Sequence, residues 1–154
     1  MAPYKRVVFK RPRAKYSVEQ QAGTLTLPAN SQAFATVVPD TAIQGMRKVK
    51  HLTVSVASAE TGGSGVPYSF WALVYVPQGT EVNTMSLSGG TGMYEPNQFV
   101  MNCGVADFSA GPCRVSTRLA RNLNSGDKIV LIMSNSTTAN ASVHYVVKYA
   151  VTLH

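Results

Sequence analysis

Residues 142–153 read Ser142-Val143-His144-Tyr145-Val146-Val147-Lys148-Tyr149-Ala150-Val151-Thr152-Leu153. Val143, Tyr145, Val147, Tyr149, Val151 and Leu153 fall on every second position, with Ser142, His144, Lys148 and Thr152 between them. Successive side chains of an extended strand point to opposite faces, so this spacing predicts a strand with one face in a core and the other in water. A helix would spread the same residues around its circumference.

Outward from that stretch the chain keeps the same character. Lys128-Ile129-Val130-Leu131-Ile132-Met133 and the run from Tyr68 to Val76 are almost wholly apolar, as strands buried on both faces are. Phe70 and Trp71 lie in the second run and are expected in the core. Residues 47–56 alternate in their second half, with Leu52, Val54 and Val56 opposite His51, Thr53 and Ser55. Further strands are predicted from Thr24, over 33–38, over 98–104 and over 113–119, with a turn at Asn124-Ser125-Gly126-Asp127. Residues 79–96 are long for a loop, hold at most a short strand at 84–87, and are expected to serve a surface function or a contact between subunits. About eight strands with no helix of length define an all-β fold, a sandwich or a barrel.

The charge is partitioned. The 154 residues carry 14 Lys and Arg against 7 Asp and Glu, a formal +7. Lys5, Arg6, Lys10, Arg11, Arg13 and Lys15 precede the first carboxylate, Glu19, and leave a nearly neutral body behind them. The expected organisation is a basic N-terminal arm over 1–18 and one domain over 19–154. A composition of 45% hydrophobic and 14% charged residues belongs to a packed globule rather than a disordered chain. No apolar run reaches the roughly 18 residues that span a bilayer, and no apolar segment follows the basic start as in a secretory signal. Cys103 and Cys113 are too few for a disulfide framework and are expected as reduced, partly buried thiols. The sequons at Asn135 and Asn140 mean little without a secretory route.

Catalysis needs converging titratable groups, and the chain offers few. His51 and His144 sit on the polar faces of strands, and His154 is the last residue. Nucleophile-elbow, zinc-protease, Cys-x-x-Cys and phosphate-loop patterns are missing; Gly62-Gly63-Ser64-Gly65 lacks the lysine and helix of a phosphate loop. Two cysteines ten positions apart make no zinc cage. No enzyme activity, cofactor or metal is expected.

The arm has a chemistry of its own. It interleaves its six bases with Tyr4, Phe9 and Tyr16. Cations neutralise phosphates and release counterions, and flat rings stack on unpaired bases. The expected nucleic-acid-binding residues are Tyr4, Lys5, Arg6, Phe9, Lys10, Arg11, Arg13 and Lys15, joined by Arg47, Lys48 and Lys50 at the start of a strand. Arg114, Arg118 and Arg121 form a looser third set. The arm also has the composition of a nuclear-localisation signal.

These words of sequence resemble a family. Val37-Val38-Pro39, Gln44-Gly45-Met46-Arg47-Lys48-Val49-Lys50-His51-Leu52-Thr53-Val54 and Val74-Tyr75-Val76-Pro77-Gln78-Gly79-Thr80 are similar to coat proteins of small circular single-stranded DNA viruses of the circovirus-like kind. Tyr94-Glu95-Pro96-Asn97-Gln98-Phe99-Val100-Met101, Arg121-Asn122-Leu123-Asn124-Ser125-Gly126-Asp127 and Tyr149-Ala150-Val151-Thr152-Leu153 continue the likeness in order. The resemblance implies a single jelly roll of eight antiparallel strands. It also implies an icosahedral T=1 shell of about sixty copies around viral single-stranded DNA, with the virion, and the host nucleus during assembly, as its locations. Coat proteins of that family open with a denser arginine tract. Sixty copies at +7 carry about 420 positive charges, enough for about 420 phosphates, so a longer genome needs mobile cations as well. The homo-oligomer and the DNA are then the expected partners, with no membrane, and the residues name no receptor. A free single-strand-binding β-domain is the alternative, and a lectin-like extracellular trimer is a more distant one.

Overall fold

A computed structural model describes residues 16–59, 67–82 and 99–153. Among these residues there are nine strands and no helix: β1 (Ser17–Leu27), β2 (Gln32–Val38), β3 (Arg47–Ala59), β4 (Tyr68–Val76), β5 (Phe99–Asp107), β6 (Cys113–Ser116), β7 (Arg121–Leu123), β8 (Lys128–Ser134) and β9 (Ala141–Leu153). They form two antiparallel sheets. One runs β1-β9-β3-β6, with β7 also paired to β3, and the other runs β2-β8-β4-β5. The first strand lies beside the last and the second beside the last but one, and β6 and β7 share one position. That order, a long antiparallel hairpin rolled into two facing sheets, is the jelly roll.

The alternating faces meet in one core. From β9, Val143, Tyr145, Val147, Tyr149 and Val151 are buried; they face Leu73, Ile129, Leu131 and Met133 of the other sheet within a single cluster. Burial of that apolar surface is the main favourable term holding the two layers together. A Cβ at Gly23 would fall 2.5 Å from the Tyr145 hydroxyl, so the absent side chain makes room for that ring in β9. A second apolar cluster, Ala72, Val74, Val76, Val82, Val130 and Ile132, lies on the other side of the four-stranded sheet. The runs at β4 and β8 are therefore buried on both faces over most of their length.

Four expectations are corrected. The first strand starts at Ser17, not Thr24, and pairs with β9 over eleven positions from Ser17↔Val151 to Leu27↔Ala141. Residues 17–22 are exposed and mostly polar, so they carry no burial pattern; the backbone register with β9 makes them a strand. The strand expected over 113–119 ends at Ser116. The chain leaves the sheet there, with the Thr117 N–H donating to Leu52 O at 3.0 Å, and re-enters as β7. Phe70 is not in the core: it is 38% exposed on the outer face, edge-on to Tyr68, while Trp71 points inward against Gly104. Cys103 is exposed rather than partly buried, and both thiols are free.

The turn at 124–127 matches its expectation and has a buried centre. Asp127 accepts hydrogen bonds from Tyr75 Oη at 2.7 Å, from the Asn124 N–H at 2.8 Å and from the Gln78 N–H at 3.0 Å. One carboxylate thus ties β4, the turn that follows it and the β7–β8 turn together. The strand expected at 84–87, the glycines 62–65 and residue Gln98 lie outside the described residues.

Candidate nucleic-acid interface

The outer face of the five-stranded sheet is built by the same alternation that builds the core. Val49 is 1% exposed, so Lys48 and Lys50, its neighbours on β3, point the other way. Lys148 stands between buried Val147 and Tyr149 on β9, and Arg114 precedes buried Val115 on β6; both are exposed. The register sets these cations on three adjacent strands. Thr53 pairs with Lys148 on one side of β3, and Ser55 pairs with Arg114 on the other. Lys48 and Lys50 lie opposite Thr152 and Ala150 of β9. Serine, threonine, glutamine, asparagine, alanine, valine and histidine complete this face. Glu19, the one carboxylate in the strands of this sheet among the described residues, follows the inward alternation of Leu25 and Leu27 and accepts a hydrogen bond from Tyr149 Oη.

The backbone is irregular at the same place. His51 takes φ +56°, and the β3–β9 register shifts between Lys50 and Thr53. This is a β-bulge with its extra residue in the left-handed region, which histidine enters more readily than branched residues do. The bulge marks the switch from pairing with β7 to pairing with β6, and it turns an exposed imidazole towards solvent beside Lys50.

Tyr16, the first described residue, stands at the root of the arm. Lys50 Nζ lies 3.8 Å from the centroid of its ring, a cation–π contact. Alternation from Ser17 and Val18 sets Tyr16 on the outer side of the sheet. The Tyr16 ring therefore lies on the cationic face.

The residues expected from sequence separate accordingly. Tyr4, Lys5, Arg6, Phe9, Lys10, Arg11, Arg13 and Lys15 lie outside the described residues. Lys48 and Lys50 share the cationic face, but Arg47 does not. It has the inward alternation of Val49, its Nη2 donates to Pro39 O at 2.8 Å, and its Nε is buried without a partner. The third set is dispersed. Arg114 joins the face, Arg118 sits in the link between β6 and β7, and the Arg121 guanidinium rests over Tyr75 and Phe99 at 5.1 and 5.5 Å from their ring centroids. Lys148 was not singled out by sequence reasoning. Its alternation placed it on a polar face, but only the strand order brings it beside Lys48 and Lys50.

The opposite outer face differs in kind. Between Lys128 at one end and Asp107 at the other, that side of the four-stranded sheet carries no charged residue among those described; Phe34, Phe70 and Val105 are exposed on it, while Ala72, Val74, Val130 and Ile132 are buried in the second apolar cluster. The described residues hold no group of three or more His, Cys, Asp or Glu arranged to bind a metal ion. The chain matches no family model and no curated protein.

Proposed function

We propose that this chain is a capsid protein, similar to the coat proteins of small circular single-stranded DNA viruses, that assembles into a T=1 shell of about sixty copies around its genome. The observation that carries the reading is the separation of two chemistries on the two outer faces of a jelly roll. One outer face is cationic; the other carries no charge between its ends among the described residues and exposes Phe34, Phe70 and Val105. A shell subunit needs both, a side for polyanion and surfaces that bury against neighbouring copies. The order of the family-like words along the chain is the second support.

In this reading the arm and Lys48 and Lys50 neutralise packaged DNA, while residues 79–96 and residues 105–112, the end of β5 and the turn after it, contribute to subunit contacts. No reaction is catalysed and no cofactor is bound. Assembly energy comes from modest apolar contacts repeated around a closed shell. Electron microscopy of the purified protein is the direct test, and closed particles of uniform diameter are expected. Monomers or dimers alone, across a range of salt and pH, would overturn the reading in favour of a free single-strand-binding domain. Removal of residues 1–15 separates the two further: a shell protein still assembles, whereas a binding domain loses its principal activity.

A further inference from the structure

The cationic face is more than a counter-charge for DNA. We infer that the outer face of the five-stranded sheet is itself a binding track for single-stranded polynucleotide, in which Tyr16 stacks on an unpaired base while Lys48, Lys50 and Lys148 hold the adjoining phosphates. This deepens the nucleic-acid part of the function proposed above and rests on it.

Three independent features converge there. The first is electrostatic. Four of the eight basic residues of the body, Lys48, Lys50, Arg114 and Lys148, lie on one face over three adjacent strands, and no carboxylate shares it among the described residues. Surface lysines that serve only solubility are normally interspersed with acids; an unopposed set focuses potential and attracts polyanions. The second is the ring. Tyr16 is 38% exposed with Lys50 against it, which gives a flat, polarised surface beside a phosphate-binding cation. Base–aromatic stacking requires the face of a base, which duplex pairing hides, so the site selects single strands without reading sequence. The third is the bulge at His51, a strained backbone position that interrupts the flat sheet beside Lys50. Bulges gather where pairing changes or a side chain is re-aimed, and this one does both beside Lys50.

The experiment uses the full chain and two fluorescent probes, an oligothymidine of about twenty nucleotides and the same strand paired with its complement. The salt dependence of binding is measured for the parent and for Lys48→Gln/Lys50→Gln/Lys148→Gln. Each lost phosphate contact on a single strand lowers the slope of log K against log salt by about 0.7, so the triple variant is expected to lose about 2 units of slope. Lys148→Gln alone, far from the arm in sequence, is expected to lose about 0.7 and Lys148→Arg to restore it. Tyr16→Leu is expected to weaken single-strand binding about tenfold with duplex binding unchanged, and Tyr16→Phe to retain the single-strand affinity. All these side chains are exposed or half-buried, and thermal melting checks that each variant is folded. An unchanged slope in the triple variant, or equal loss for single strand and duplex on Tyr16→Leu, overturns the inference. The capsid reading is tested apart from it: particles with unchanged slopes overturn only the track, and reduced slopes without particles overturn only the shell.

Discussion

Asp127 and its partners show how much one side chain decides. It is 4% exposed and accepts from two backbone N–H groups and one phenol, so its removal strands three donors at the junction of two turns. Asp127→Ala is expected to cost about 3 kcal/mol in chemical denaturation, with a smaller loss for Asp127→Asn. A loss below about 1 kcal/mol would mean that water replaces the carboxylate without strain. The same contact acts on Tyr75, whose phenol is pushed up to about 12, first by burial and then by its hydrogen bond to Asp127. Burial and the Glu19 carboxylate likewise push Tyr149 above the ordinary range. An unfolded tyrosine releases its proton near 10, so above that pH the unfolded state binds fewer protons than the native state. Stability contributed by Tyr75 is therefore complete below about pH 10 and falls as pH rises towards 12. Denaturant midpoints measured from pH 9 to 12 are expected to decline, and the decline to be shallower in Tyr75→Phe. Identical slopes would place the loss elsewhere.

At the scale of elements, β3 carries the most information. Its second half was legible because Leu52, Val54 and Val56 alternate with polar residues. Its first half was legible only as a cluster of bases. What joins them is the bulge, which lets Val49 and Leu52 both face the core although three positions separate them. No periodic reading reveals an inserted residue, since it breaks the period it would be read from. His51→Val places a β-branched side chain at φ +56° and is expected to cost about 1–2 kcal/mol, whereas His51→Gly leaves stability within about 1 kcal/mol of the parent. Equal costs for both would show that the bulge relaxes when the imidazole is lost. The early part of β1 was illegible for the opposite reason. Residues 17–22 are a strand on the evidence of their pairing with β9, and nothing in their own polarity distinguishes them from the arm before them.

At the scale of the molecule, the two sheets divide the residues that sequence places side by side. Cys103 pairs with Ala72 in the four-stranded sheet, and Cys113 pairs with Val56 in the five-stranded one, packed against the core. Their ten-residue spacing does not bring them together, and both are free. Without reductant, two thiols are expected to react with a disulfide reagent after denaturation, with Cys103 reacting before Cys113 in the native protein. A single bridge and no free thiol would contradict the separation. The division of charge is of the same kind. Half of the basic residues of the body stand on one outer face, while the other carries no charge between its ends among the described residues. That contrast makes the protein two-sided, although its body is nearly neutral in sum.

The sequence by itself determined the all-β class, the inward faces of β3 and β9, the doubly buried runs of β4 and β8, and the concentration of charge at the N-terminus. These are local properties: alternation, run length and composition are written in neighbouring residues. Only the tertiary structure decided which strands are neighbours, where β1 begins, that Phe70 faces outward, that Arg47 is turned away from Lys48 and Lys50, and that Lys148 and Arg114 join them. The physical reason is that strand pairing is a long-range choice. In a jelly roll it joins residues more than a hundred positions apart, as Ser17 and Val151 are, through backbone hydrogen bonds that every residue type except proline makes alike.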